Sequence, residues 1–325
     1  MSDGVKKIIR LDRNEVPFDV PKNFKSELVE IINGLEMNRY PEDYSEGLRE
    51  KIGRLYGLSA DNVIVGNGSD QVITFLFDFL RNTRIVTSTP TFSMYRFFAE
   101  AKGIDFTEIP MTRLFQPDAD KLLDVADSSY IVCSPNNPTG DTAGKDTVRR
   151  LLETGKTVIV DEAYGEFDGN GYTGMVRDYD NLIILRTFSK AFGLAGLRIG
   201  YSLSSPETTG KILKTLPPFV LGTISLAAAG LMLDYTQEIR ENVDYIIRER
   251  ERIYREISAF SFPSRANFIL VKLDAYEFLR NNGILVRKLN DPLNGMIRVT
   301  VGLKQENDVL ISALKSFYED FHQRR

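Results

Sequence analysis

Lys190 ends the segment Arg186-Thr187-Phe188-Ser189-Lys190, behind the apolar run Leu182-Ile183-Ile184-Leu185, and Arg198 follows eight positions later. A primary amine ringed by small hydroxyl side chains, with a guanidinium nearby, suits a particular task. The amine can hold an aldehyde cofactor as a Schiff base, while Thr187, Ser189 and the forked Arg198 grip a phosphate carried by that cofactor. Once displaced, the same lysine is a flexible base suited to a 1,3-proton shift. Its ordinary pKa of ~10.4 falls under desolvation and cationic neighbours. The plainer alternative is a surface lysine on a helix. The chain has one histidine, His322, close to its end, which leaves Ser-His-Asp, Cys-His and His-metal chemistry poorly supplied. No metal site is expected.

Asp161 closes a second apolar run, Thr157-Val158-Ile159-Val160. A carboxylate buried at such a strand end is costly unless paired, and a cationic ring N–H would resolve that cost. A helix cap or a loop aspartate is the alternative. Gly66-Asn67-Gly68-Ser69-Asp70-Gln71 follows a strand and opens a helix, where free amides and the helix dipole favour a phosphate. The same residues also make a common tight turn, and they miss the dinucleotide fingerprint because its third glycine would fall at Gln71. Phe92, in Thr91-Phe92-Ser93-Met94-Tyr95, could stack on a cofactor ring or pack a helix on the sheet. Asn137 lies in Asn137-Pro138-Thr139-Gly140, a turn signal in its own right.

The elements that must position these groups follow from hydrophobic patterning. Residues 63–65, 84–86, 129–133, 157–160, 182–185 and 198–201 read as strands, several continuously apolar as for strands covered on both faces. Residues 69–80, 91–101 and 145–153 have amphipathic helical spacing between them. The alternation predicts a mainly parallel sheet with helices on both sides. The pattern then changes to one long helix over 236–258, strands over 267–271, 284–287 and 296–301, and a helix over 307–321. A second, α+β unit is expected there, joined by the N-terminal arm.

The whole chain sets bounds. Its 325 residues suit two packed domains, and 42% apolar with 26% charged residues is ordinary for a soluble protein. A net charge of -4 with dispersed Lys and Arg gives no reason to expect nucleic acid or an anionic membrane. Residues 219–233 form the longest weakly polar run, too short and too interrupted to span a bilayer, so a buried helix is expected. Residues 1–7 lack an apolar stretch for export, and the single Cys133 permits no intrachain disulfide, so a cytoplasmic location is expected.

Taken together, Ser134-Pro135-Asn136-Asn137-Pro138-Thr139-Gly140, Val160-Asp161-Glu162-Ala163-Tyr164 and the Lys190 segment resemble the pyridoxal-phosphate aminotransferases of fold type I, most closely the histidinol-phosphate aminotransferase family. The resemblance runs from Leu11-Asp12-Arg13-Asn14-Glu15 to Gly302. It implies an α/β large domain (37–229) with a mainly parallel seven-stranded sheet, and a small α+β domain built from the arm (1–36) and residues 230–325. Lys190, Asp161 and Tyr164 would be catalytic. Pyridoxal 5′-phosphate would be held by Gly68, Ser69, Asp70, Phe92, Asn137, Asp161, Tyr164, Thr187, Ser189, Lys190 and Arg198. Asn137 and Tyr164 would share its phenolic oxygen. Tyr40, in Asn38-Arg39-Tyr40-Pro41, would cross to the phosphate of a neighbouring subunit, making a homodimer the active unit.

Arg298 matches the arginine that anchors the substrate's acidic group, and Arg287 a second arginine linked to phosphate-bearing substrates. Each could instead be a solvated strand arginine. Asn14 and Phe18 fall near the substrate. The implied reaction transfers an amino group between L-histidinol phosphate and 2-oxoglutarate. Phe92 and Phe18 stand where relatives often carry tyrosine, Val16 where they carry asparagine, and Lys288 where they carry proline. An aromatic amino-acid aminotransferase and an O-phosphothreonine decarboxylase therefore remain alternatives. A regulator with this fold behind a DNA-binding unit is disfavoured, since fewer than 40 residues precede Tyr40.

Overall fold

The structure is a computed structural model that describes residues 8–41 and 45–323. Residues 1–7, read above for an export signal, lie outside the described residues, as does the side chain of His322. Among the described residues, eleven strands form two sheets. They are β1 (Ile9–Leu11), β2 (Val63–Asn67), β3 (Arg84–Thr89), β4 (Phe106–Pro110), β5 (Ser128–Cys133), β6 (Val158–Asp161), β7 (Leu182–Thr187), β8 (Ile199–Leu203), β9 (Phe268–Val271), β10 (Ile284–Lys288) and β11 (Ile297–Thr300).

The larger sheet has the order β2-β8-β7-β6-β5-β3-β4, with β8 antiparallel to both neighbours and the other pairs parallel. The apolar runs are long because both faces are covered, and the period of two sorts their side chains. Ile64, Ile85, Ile131, Ile159, Ile183 and Leu185 face one way, toward Val72, Ile73, Leu76 and Phe77 of the helix Gly68–Phe79 and Tyr95 and Ala99 of the helix Met94–Lys102. Val63, Val65, Val86, Val132, Val158, Val160 and Ile184 face the other core, with Ile52, Val148 and Leu151. The mainly parallel seven-stranded sheet is as expected, but the spacing rules named only six of its strands. β4 was missed because it lies at the edge, is half-buried throughout and ends in proline, so it lacks a continuous apolar signal.

The second sheet has the order β1-β10-β11-β9, so the N-terminal arm adds its strand to one formed 275 residues later, with Ile9 opposite Ile284. The long amphipathic helix Thr236–Ile257 and the closing helix Lys304–Gln323 pack together against this region. The apolar run 219–233 becomes the helix Thr223–Met232. Only Ala228, Ala229 and Met232 of it are fully buried. Its other side, with Leu226, Ala227 and Gly230, lines a groove of about 720 Å³ shared with Tyr40 and Leu48. The helix also runs through the expected boundary between residues 229 and 230. No described helix is long and apolar enough to cross a membrane.

Candidate active site

The carboxyl ends of β5, β6 and β7 meet the start of the helix Gly68–Phe79, and the chemistry-bearing residues collect there. β7 ends at Thr187, and the chain turns through Phe188, Ser189 and Lys190. The Thr187 hydroxyl donates to the Ile199 carbonyl at 3.3 Å and accepts from the Ser189 amide at 3.1 Å, which fixes the turn. Lys190 Nζ donates to the Arg13 carbonyl at 3.1 Å and lies 5.7 Å from the centre of the Tyr164 ring. Burial, then Arg298 and Arg198, bring the Lys190 amine down to about 8, against the opposing pull of Glu15 and Asp70. An ordinary lysine is almost wholly charged at that pH; this one is half neutral.

An arginine and the start of a helix converge beside it. Arg198 sits in the left-handed region (φ 53°) and donates to Asp70 Oδ2 at 2.8 Å across the helix start. Gly68 has φ 77°, and a Cβ there would stand 2.5 Å from the Arg198 guanidinium. Gly200 on β8 lies so close beneath the helix that a Cβ would meet the Ser69 amide at 2.2 Å. The glycines therefore let two backbones and an arginine converge on the first-turn amides, which are free to bind an anion.

Asp161 is buried at the end of β6, opposite Cys133 in the parallel register. Its Oδ1 accepts from the Ala163 amide at 3.0 Å and its Oδ2 from the Tyr95 hydroxyl at 2.5 Å. Burial pushes its carboxyl up to about 6, while the Tyr95 and Ala163 hydrogen bonds hold it down. Phe92 lies in the loop just before the helix Met94–Lys102, its ring 5.4 Å from that of Tyr95 and nearly perpendicular to it.

Arg298 reaches over from β11. Its Nη1 donates to Asn137 Oδ1 at 2.5 Å and its Nη2 to the Asp12 carbonyl at 3.0 Å, and its guanidinium lies 5.3 Å from the Phe268 ring centre. Its Nε is buried with no partner. Arg287 stands directly opposite Arg298 in the antiparallel β10–β11 pair, so both side chains leave the same face. Arg287 is exposed and, among the described residues, has no hydrogen-bond or ion-pair partner.

Asn14, in the left-handed region (φ 55°) and 1% exposed, joins three parts of the chain. Its Nδ2 donates to the Tyr164 hydroxyl oxygen at 3.0 Å, and its Oδ1 accepts from the Thr300 hydroxyl at 3.2 Å. Its backbone amide donates to Thr300 Oγ1 at 3.0 Å, and Asn267 holds its carbonyl at 2.9 Å. Two donor groups are left to act in the site. Asn137 gives its oxygen to Arg298, which leaves its NH₂ as donor. Tyr164 accepts from Asn14, which leaves its own O–H as donor. Burial, opposed first by Arg298 and then by the Asn14 hydrogen bond, brings the Tyr164 phenol to about 12, so it stays protonated.

Phe18 and Tyr40 make aromatic contacts within this chain. Phe18 packs edge-on against Tyr245 at 5.0 Å, and Tyr40 is 75% exposed, stacked on Phe219 at 4.4 Å beside the groove. Three contributors escaped the sequence reading: Tyr95, Thr300 and the Arg13 carbonyl. Tyr95 is three residues beyond Phe92, and its partner Asp161 lies 66 residues away. The buried orphan Nε of Arg298, the amine poised near 8, the buried acid and the glycine-lined helix start together fit a phosphorylated aldehyde cofactor with a basic ring nitrogen.

Comparison with known proteins agrees. The family model "Aminotransferase class I and II" matches residues 6–314. Histidinol-phosphate aminotransferase of Pyrococcus furiosus is 45% identical over 314 residues, covering 96% of this chain and 93% of that one. The Thermococcus kodakarensis protein of the same name is 44% identical, covering 95% and 92%. The solved histidinol-phosphate aminotransferase of Sinorhizobium meliloti, in complex with pyridoxal 5′-phosphate, superposes with a TM-score of 0.86 at 26% identity, covering 97% and 92%.

Proposed function

The chain belongs to the class I and II aminotransferases, and we propose that it moves an amino group between L-histidinol phosphate and 2-oxoglutarate. Pyridoxal 5′-phosphate, when bound, supplies an aldehyde that takes up the amine and a ring that accepts the electron pair of the α-carbon. Lys190 would hold it through Nζ, and as a neutral amine would carry the proton taken from the substrate's α-carbon. Asp161 receives the ring N–H, so that the ring nitrogen stays protonated. Asn137 and Tyr164 would donate to the phenolic oxygen with the NH₂ and O–H groups their neighbours leave free. Gly68, Ser69, Asp70, Thr187, Ser189 and Arg198 hold the phosphate, and Phe92 covers the ring.

The observation that carries the substrate assignment is the pairing of Arg287 with Arg298 on one face of the sheet. Two cations directly opposite each other repel, and a phosphate-bearing substrate relieves that repulsion. In this reading the large sheet holds the cofactor, while the arm and the second sheet supply the arginines and close the site. The active unit is a homodimer in which Tyr40 reaches the partner's cofactor phosphate. The exposed Tyr40, Met37, Ile31 and Ile224 around the groove support that assembly. The buried free Cys133 agrees with a cytoplasmic enzyme.

The test is a single-turnover spectrum of the cofactor-loaded protein with histidinol phosphate, phenylalanine or O-phosphothreonine. Rapid conversion to the pyridoxamine form is expected with histidinol phosphate alone. Conversion mainly with phenylalanine would make it an aromatic aminotransferase. Carbon dioxide release from O-phosphothreonine, with no conversion by any of the three, would move it to the lyases.

A further inference from the structure

The buried acid of the site is held by an unusual neighbour. Asp161 is bonded by Tyr95 from the helix Met94–Lys102 and lies beside Cys133 of β5, and it feels the charges of Asp70 from the helix Gly68–Phe79 and of Glu162, which turns to the other face of the sheet. The charged groups among these, Asp70 and Glu162, are acids, and both favour the protonated carboxyl just as burial does. Cys133 is neutral, its thiol pushed by burial up to about 12. The protein groups that favour the anion are therefore two donors, the Ala163 amide and the Tyr95 hydroxyl. The first is backbone and supplied by the turn itself. The second depends on one side chain.

Tyr95 is built into that role. It occupies the first turn of its helix and is 1% exposed, within the core formed by Ile131, Ile159 and Leu185. A buried phenol needs a partner for its hydroxyl, and Asp161 Oδ2 at 2.5 Å is the partner. Burial and then the Asp161 charge hold the Tyr95 proton in place, so it stays the donor. A carboxylate offers about four lone-pair sites, so these two hydrogen bonds leave acceptor capacity for a cationic N–H.

We propose that Tyr95 is a positioning residue for Asp161: its hydroxyl fixes the carboxylate's orientation and keeps it an anion in an acidic, desolvated pocket, ready for a protonated ring nitrogen. The proposal rests on the aminotransferase reading, since that reading supplies the ring nitrogen. Simple packing is the competing role, and Tyr95→Phe separates the two because it keeps the ring and removes only the donor.

The experiment follows the Asp161 carboxyl by ¹³C NMR in the cofactor-free protein as pH is varied, for wild type, Tyr95→Phe and Tyr201→Phe. Tyr201 is a buried tyrosine bonded to Tyr56 and away from Asp161, so it controls for lost hydroxyls in general. A hydrogen bond to a charged group is worth enough to move the midpoint upward from about 6 by roughly one to two pH units in Tyr95→Phe. No movement is expected in Tyr201→Phe. Pyridoxal phosphate affinity, measured by equilibrium dialysis at pH 7, should fall about tenfold in Tyr95→Phe and recover as pH is raised past the new midpoint. An unmoved midpoint, or an equal movement in both variants, overturns the proposal. If Tyr95→Phe does not fold, 3-fluorotyrosine at position 95 replaces it. Its more acidic phenol should move the midpoint down, and no movement again overturns the proposal. Failure of the wild type to bind pyridoxal phosphate would instead sink the aminotransferase reading, and the cofactor-free titration would still read the Tyr95–Asp161 contact.

Discussion

Two pairs of residues, one position apart at the ends of β6 and β7, show what distinguishes a working site from a brace. Asp161 and Thr187 end β6 and β7 and face the candidate site. Their neighbours Glu162 and Arg186 face the opposite way, as the period of two requires. There Arg186 donates to Glu162 from Nε at 2.9 Å and Nη2 at 2.5 Å, and to Glu166 from Nη1 at 2.8 Å. The Tyr172 amide takes the other Glu162 oxygen, and the Tyr56 ring lies 5.4 Å from the guanidinium. Gly165 and Gly171 make the room, since a Cβ at either would come within about 3.0 Å of this pair. Burial opposes the Arg186 charge, but Glu162, then Tyr56 and Glu166, carry its pKa well above the ordinary value. That network is closed, and the Arg186 charge is locked in. On the other face, Asp161 is pushed up toward 6 and Lys190 down toward 8, so both approach neutrality near physiological pH. Groups left able to exchange protons mark the site; groups fully committed to one another hold the strands that carry it.

The sharpest way to break this comparison is to remove one member from each side. Lys190→Ala should lower single-turnover amino transfer by about 10⁴-fold, the upper range for losing a positioned proton carrier, with an unchanged circular dichroism spectrum. A protein that only bound the cofactor would show weaker binding and have no turnover to lose. Arg186→Met should behave in the reverse sense. It strands Glu162 in the core at a cost of about 3–5 kcal/mol, read as a lower urea midpoint. Cofactor-loaded molecules that remain folded should still turn over. If Arg186→Met left stability intact, the closed-brace interpretation would fail.

Asp161→Asn should move stability the other way. The folded-state pKa is raised from 3.8 to about 6, so the neutral form is favoured in the native protein. A raised value contributes stability below the unfolded pKa and loses it as pH climbs through the folded one. Above about pH 6 the cofactor-free protein therefore carries an ionised buried acid at a cost of up to about 3 kcal/mol. Asparagine carries no such charge. Urea unfolding should show the variant more stable than wild type at pH 8, with the difference vanishing toward pH 4, while amino transfer is lost. Equal stability at both pH values would mean that Asp161 is not strained by its burial.

The contrast also explains what could be read from the chain alone. The parallel sheet was legible because strands buried on both faces are continuously apolar, and the half-buried edge strand β4 was not. The helices Phe24–Asn33, Glu46–Leu55 and Pro206–Leu213 were not anticipated either. Asp161, Asn137, Tyr164 and Lys190 stood out because each sits in a short contiguous motif. Asp161 and Glu162 are adjacent acids, and only the sheet's geometry assigns one to the site and the other to a brace. The bonds that aim the site are longer in range still. Tyr164 is oriented by Asn14 across 150 positions and Asn14 by Thr300 across 286, and no local pattern reveals such partners. Thr300 occupies a β-strand, where a threonine is unremarkable.

A smaller effect tests the open side of the comparison without destroying it. Loading of the aldehyde cofactor requires the neutral Lys190 amine, and the amine's folded-state value is lowered from 10.5 to about 8. Raising pH should therefore accelerate loading by about tenfold per pH unit below that value and level off above it. An ordinary lysine would keep accelerating to ~10.4. After burial, the largest contribution to the lowering is the charge of Arg298. Arg298→Met removes that cation, so the plateau should begin at higher pH, and loading at pH 7 should slow by a few-fold. Stopped-flow absorbance at the cofactor band measures both. A plateau that stayed put in Arg298→Met would assign the lowered amine to burial alone. Arg298 would then be an anchor that binds acidic groups without tuning the lysine beside them.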